Sequence, residues 1–134
     1  MTAAVLLLSA YTASIHSIDR RGKSMETVEG PVQRQLDAYN ARDLERFVAE
    51  YADDVVVYRP PAAEPVITGK AALGAHYAKH RFNLPELHAR LLNRIVSGNI
   101  VVDQEEVTGV PGGVMAAVAV YRVERGRIQA VWFF

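Results

Sequence analysis

The chain has 134 residues, half of them apolar and 22% charged, which suits one domain whose core needs no staple. Lys plus Arg balance Asp plus Glu at 15 each, so no net field draws the molecule to nucleic acid or to an anionic membrane. Cysteine is absent, which excludes a disulfide scaffold, a thiol nucleophile and a zinc site built on sulfur, and no apolar run reaches the ~18 residues of a membrane span.

Residues 1–24 differ from the rest. Ala3 to Ala10 is a short apolar run, and Arg20, Arg21 and Lys23 come after it. A secretory signal places its positive charge first. The segment therefore reads as an N-terminal extension ahead of a domain at 25–134, in a cytoplasmic protein; an export signal is the competing reading.

Pro31 suits a first helical turn, and Val32, Leu36 and Tyr39 recur at helical spacing with Gln35 on the same face. Asp43 is placed to cap a second helix whose apolar stripe is Leu44, Phe47, Val48 and Tyr51. Val55 to Tyr58 reads as a strand, the prolines at 60, 61 and 65 as a loop, and Lys70 to Phe82 as a third helix. After Pro85 the period changes to two. Strands are predicted at 87–96, 100–108, 114–123 and 127–134. The class is α+β, with three N-terminal helices packed on a curved antiparallel sheet.

The strand at 87–96 carries Leu87, Ala89, Leu91, Asn93 and Ile95 on one face, and His88, Arg90 and Arg94 on the other. The last two strands are apolar on both faces. Helices can cover one face. A second copy of the chain is the economical cover for the other, which predicts a homodimer through the outer face of the sheet.

Ala41-Arg42-Asp43-Leu44, Tyr51-Ala52-Asp53-Asp54-Val55, the Tyr77 helix and the closing Tyr121-Arg122-Val123 and Trp132-Phe133 stand in a telling order. Together they resemble the nuclear transport factor 2-like superfamily, in its SnoaL-like and ketosteroid-isomerase-like branch. The resemblance covers roughly residues 29 to 134. It implies a cone-shaped half-barrel, dimerisation through the sheet, and an apolar pocket for a small hydrophobic ligand.

The resemblance implies less about chemistry. The ketosteroid isomerase base falls on Arg59, its oxyanion-hole tyrosine on Gln35 and its protonated acid on Ala119. Arginine cannot act as that base at neutral pH, so this activity is not expected. Tyr77 matches an auxiliary pocket tyrosine, and the alignment turns Gln104 inward. His76, Tyr77, His80 and Tyr39 supply the residue types of a scytalone-dehydratase-like site.

The residues by themselves add to this list. His76 and His80 are four apart on one helix, but no HExxH pattern or neighbouring carboxylate completes a metal site, so neither metal nor cofactor is expected. As acid or base in a pocket, His76, His80 and Tyr77 are the candidates. Tyr39, Tyr51, Arg59, His76, Tyr77 and Phe133 are expected to border one cavity. Arg59 suits an anionic group on the ligand. Asn93, interrupting an apolar face, is a ligand contact or a structural amide. In the strand at 101–107 both faces carry polar groups, and periodicity does not choose between them. Two functions stand open. One is an enzyme that isomerises, dehydrates or cyclises a polycyclic or aromatic hydrophobe. The other is a dimeric binding or association module without chemistry.

Overall fold

The computed structural model describes residues 26–134. The expected extension at 1–24 lies outside the described residues. The elements are α1 (Glu29–Asn40), α2 (Leu44–Val48), β1 (Tyr51–Tyr58), β2 (Ile67–Thr68), α3 (Lys70–His80), β3 (His88–Ser97), β4 (Ile100–Val110), β5 (Gly113–Glu124) and β6 (Arg127–Phe133). The six strands form one sheet in the order β2-β1-β6-β5-β4-β3, and the class is α+β. Among the described residues, no helix is long and apolar enough to cross a membrane.

The sheet is mixed, which corrects the expectation of a purely antiparallel one. The meander β3 to β6 pairs antiparallel, but β1 joins β6 in parallel, with Val57 opposite Val131. The connection that this parallel pair requires is long: β2, α3 and the strands β3 to β5 all lie between β1 and β6 in the chain. Tyr51 opens β1 instead of ending the second helix. Asp43 caps α2, accepting the Arg46 N–H at 3.1 Å, and α2 then stops after five residues.

Two bulges reset the faces of the sheet. In β3 the register slips between Leu91 and Asn93, so Leu92 is an extra residue. Leu91 stays opposite the buried Glu105, while Asn93 turns to the exposed side opposite Gln104. Arg94 then points inward, reversing the expected alternation. In β6 the slip falls at Gln129, so Ile128 shares the inner face with Val131 and not with Ala130. A bulged strand twists and bends more than a regular one.

The inner face and the helices enclose the core. Val32 and Leu36 of α1, Phe47 of α2 and Leu73 of α3 pack on Val55, Val57, Val101, Tyr121 and Val131, all buried. Asn40, at the end of α1, fastens the free edge of β3. Its amide nitrogen donates to the Ala89 carbonyl at 2.9 Å, and its amide oxygen accepts from the Ala89 N–H at 2.8 Å. Arg34 of α1 binds both oxygens of Glu50, at 2.9 and 2.8 Å, and also pairs with Glu26. Gly109 sits at φ +73° at the irregularity of β4 between Thr108 and Val110, against the Glu86 backbone, where any side chain would collide.

Candidate functional site

A cavity of about 150 Å³ lies between α1, the end of α3 and the inner face of the sheet. Helix α1 contributes Gln35, Leu36 and Tyr39; α3 and its C-terminal cap contribute Tyr77 and Arg81. The sheet contributes Ala89, Glu105, Val107, Met115, Ala117, Tyr121 and Phe133, and the loop after β1 adds Arg59. A wider, open groove of about 760 Å³ runs between α2 and α3 past Leu44, Val48, Ala71, Gly74 and Ala75. Its few charged groups, Glu45, Asp53 and Lys70, are joined by no buried polar side chain, so the inner cavity is the better site.

Glu105 is the residue that sequence reasoning missed. Its side chain is 9% exposed, and Oε1 finds no hydrogen-bond partner among the described residues. Burial, reinforced by the neighbouring Asp103 charge, pushes its pKa up from 4.5 to about 7; Arg94 pulls the other way. Two residues along the same face, Asp103 is fully buried and bound by Arg94 through Nε at 2.7 Å and Nη2 at 2.9 Å. Gln33 of α1 accepts the remaining Arg94 contact at 2.8 Å. Asp103 is thus a paired anion, while Glu105 is a carboxyl with a free oxygen. Periodicity offered no signal for it: Val101 and Val107 share the alternation of Asp103 and Glu105, while Ile100, Val102 and Val110 share that of Gln104 and Glu106.

Tyrosines surround the carboxyl. Burial pushes the Tyr39 hydroxyl up to about 12, with Arg81 opposing, and also raises Tyr77 and Tyr121. All three stay protonated donors at neutral pH. Gln35 organises the floor: its Nε2 donates to the Val32 carbonyl at 3.0 Å and to the Tyr121 hydroxyl at 3.3 Å, and its Oε1 accepts from the Tyr51 hydroxyl at 3.1 Å. Phe47 lies beneath, with its ring 4.7 Å from that of Tyr77 and 5.0 Å from that of Tyr51.

The expected site residues divide. Gln35, Tyr39, Arg59, Tyr77 and Phe133 line the cavity. Tyr51 does not; it is core, 2% exposed, and braces Gln35 from behind. His80 is exposed on α3 and His76 is half-buried, and neither lines the cavity. Desolvation, His80, Arg81 and Arg59 all lower the His76 pKa. His80 shares the angular stripe of Leu73 and Tyr77 but is the last residue of α3, and His76 stands to the side of that stripe. Asn93 is exposed because the bulge at Leu92 turned it over. Gln104 faces out because β4 presents its odd-numbered residues to the core. Ala119 is fully buried between Asp103 and Phe133 in the ladders, with no surface left for a ligand.

A family model for the SnoaL-like domain matches residues 32–131. The chain belongs to the SnoaL-like family. Its fold is the nuclear transport factor 2-like fold, also called cystatin-like, and solved structures agree. A cystatin-fold protein from Novosphingobium aromaticivorans superposes with TM-score 0.72 at 24% identity, covering 81% of this chain and 98% of that one. A candidate ketosteroid isomerase from Kribbella flavida superposes at 0.69 with 21% identity, covering 80% and 76%. A candidate polyketide cyclase from Sinorhizobium meliloti superposes at 0.62 with 20% identity, covering 78% and 93%. At these identities the likeness speaks to the fold of this SnoaL-like domain. No curated protein matches the chain.

Proposed function

We propose that this SnoaL-like domain binds a small molecule of single-ring size in the inner cavity and moves a proton on it through Glu105. The reaction class is that of an isomerase, dehydratase or cyclase working next to a carbonyl. One observation carries the reading: a carboxyl buried in a cavity, with one oxygen unpartnered and a pKa near 7. Such a group can take a proton from carbon at neutral pH and return it elsewhere. The Tyr39 and Tyr77 hydroxyls beside it are donors suited to the oxygen on which charge develops. Glu105 occupies none of the positions that ketosteroid isomerases use, which here carry Arg59, Gln35 and Ala119. The ligand is smaller than the polycyclic hydrophobe expected from sequence, because 150 Å³ falls below the roughly 300 Å³ at which drug-sized pockets begin. Two copies paired through the outer face of the sheet complete the proposal; Leu92, Ile95 and Val114 stay about half exposed in one copy.

The test is deuterium uptake from heavy water at the α-carbon of cyclohex-3-enone, a monocyclic unsaturated ketone. Wild-type protein should accelerate it, and Glu105→Gln should lose about a hundredfold of that rate while still binding. No acceleration by the wild type would leave a binding module without chemistry.

A further inference from the structure

The mouth of the cavity carries two guanidinium groups that no carboxylate neutralises. Arg59 leaves the end of β1, and its Cζ stands 5.2 Å from the centre of the Phe133 ring. Arg81 caps the C-terminus of α3, where its Nη1 donates to the His80 carbonyl at 2.8 Å and its charge reaches the Tyr39 hydroxyl. Both line the cavity. Among the described residues neither enters an ion pair; Arg42, Arg125 and Arg127 enter none either, but of the described arginines only Arg59 and Arg81 line the cavity. The charges of both arginines are felt at His76 and at Tyr77. Two cations lining one cavity make it a favourable place for an anion. The Phe133 face gives Arg59 a cation–π contact, and among the described residues its N–H groups make no side-chain hydrogen bond, which leaves them available to an acceptor with two oxygens.

Resting on the cavity reading above, we infer that the ligand is a monocarboxylic acid with a compact ring, its carboxylate held between Arg59 and Arg81 and its ring directed toward Glu105. The carboxylate supplies the missing counter-charge. The ring meets Val107, Ala117 and Phe133, and a hydroxyl or carbonyl on its far side meets Glu105 and the tyrosines. Arg81 has no part in the resemblance to ketosteroid isomerases, and nothing in the sequence pairs it with Arg59, because the two lie on different elements.

The test titrates the full chain with 4-hydroxybenzoate and its neutral amide, 4-hydroxybenzamide, at pH 6.5 and low salt. The methyl signal of Met115, on the cavity lining, reports by NMR whether a probe is inside. Wild-type protein should bind the acid at least about tenfold more tightly than the amide. Arg59→Gln, in an exposed loop, should lose about tenfold for the acid and under about twofold for the amide. Arg81→Gln should do the same; if it perturbs the end of α3, Arg81→Lys keeps the charge and should retain most of the preference. Equal binding of acid and amide, or parallel losses for both in Arg59→Gln, overturns the carboxylate inference and leaves the cavity reading standing. Failure of both probes to bind wild-type protein overturns the two together.

Discussion

Glu105 couples the proposed chemistry to stability. The fold prefers its neutral form, since its pKa is raised from 4.5 to about 7. Its contribution is therefore fully present below pH 4.5, is lost as pH rises toward 7, and is constant above that. A shift of this size corresponds to roughly 3 kcal/mol. Glu105→Gln, which keeps the shape without the charge, should be more stable than wild type by about 2–3 kcal/mol at pH 8 and nearly equal to it at pH 4. Urea melts of the two proteins across that range check this. An advantage that is the same at both pH values would mean that burial does not set the Glu105 pKa. At this scale the sequence was half legible. Gln35, Tyr39 and Tyr77 reach the cavity because helical periodicity assigned them a face. Glu105 was hidden because both alternations of β4 are polar, and His76 and His80 misled because residue type says nothing about which way a helix turns.

The elements hold where their periodicity is long and slip where a single residue intervenes. Strand β5 has 12 residues and was readable, as was α1. Strand β3 was readable only up to Leu91, because one extra residue reverses every face beyond it. No composition cue marks Leu92 as a bulge. Asn40 shows a related limit: nothing in its residue type announces that its amide acts as a short piece of strand for the edge of β3. Asn40→Ala removes two hydrogen bonds and leaves the Ala89 amide and carbonyl unpaired. The expected loss is about 1–3 kcal/mol in chemical denaturation. Faster amide exchange at Ala89 should accompany it; an unchanged exchange rate there would mean that water replaces the amide at no cost.

For the whole molecule, the α+β class and the family were legible in the order of elements, because a helical period gave way to a period of two at Pro85. The parallel β1–β6 pair was not, since strand order depends on contacts far apart in sequence. The outer face supplies the prediction at this scale. Tyr58 stacks on Trp132 with ring centres 5.5 Å apart, beside Val118 and Val120 on the next strand. If two copies meet there, Val118→Asp or Trp132→Asp buries an unpaired charge in the interface. Each variant should sediment as a monomer or aggregate, and wild type as a dimer at micromolar concentration; a monomeric wild type would end the proposal. The parallel pair also sets the order of events in folding. The partners Tyr51 and Ile128 are separated by ~77 residues, so loop closure delays their meeting, while the hairpins from β3 to β6 close locally. The meander should form the nucleus and β1 should zip on late. Val55→Ala on β1 should then mainly accelerate unfolding, and Val101→Ala on β4 should mainly slow folding, with φ-values near zero and above about 0.5 respectively in stopped-flow chevrons.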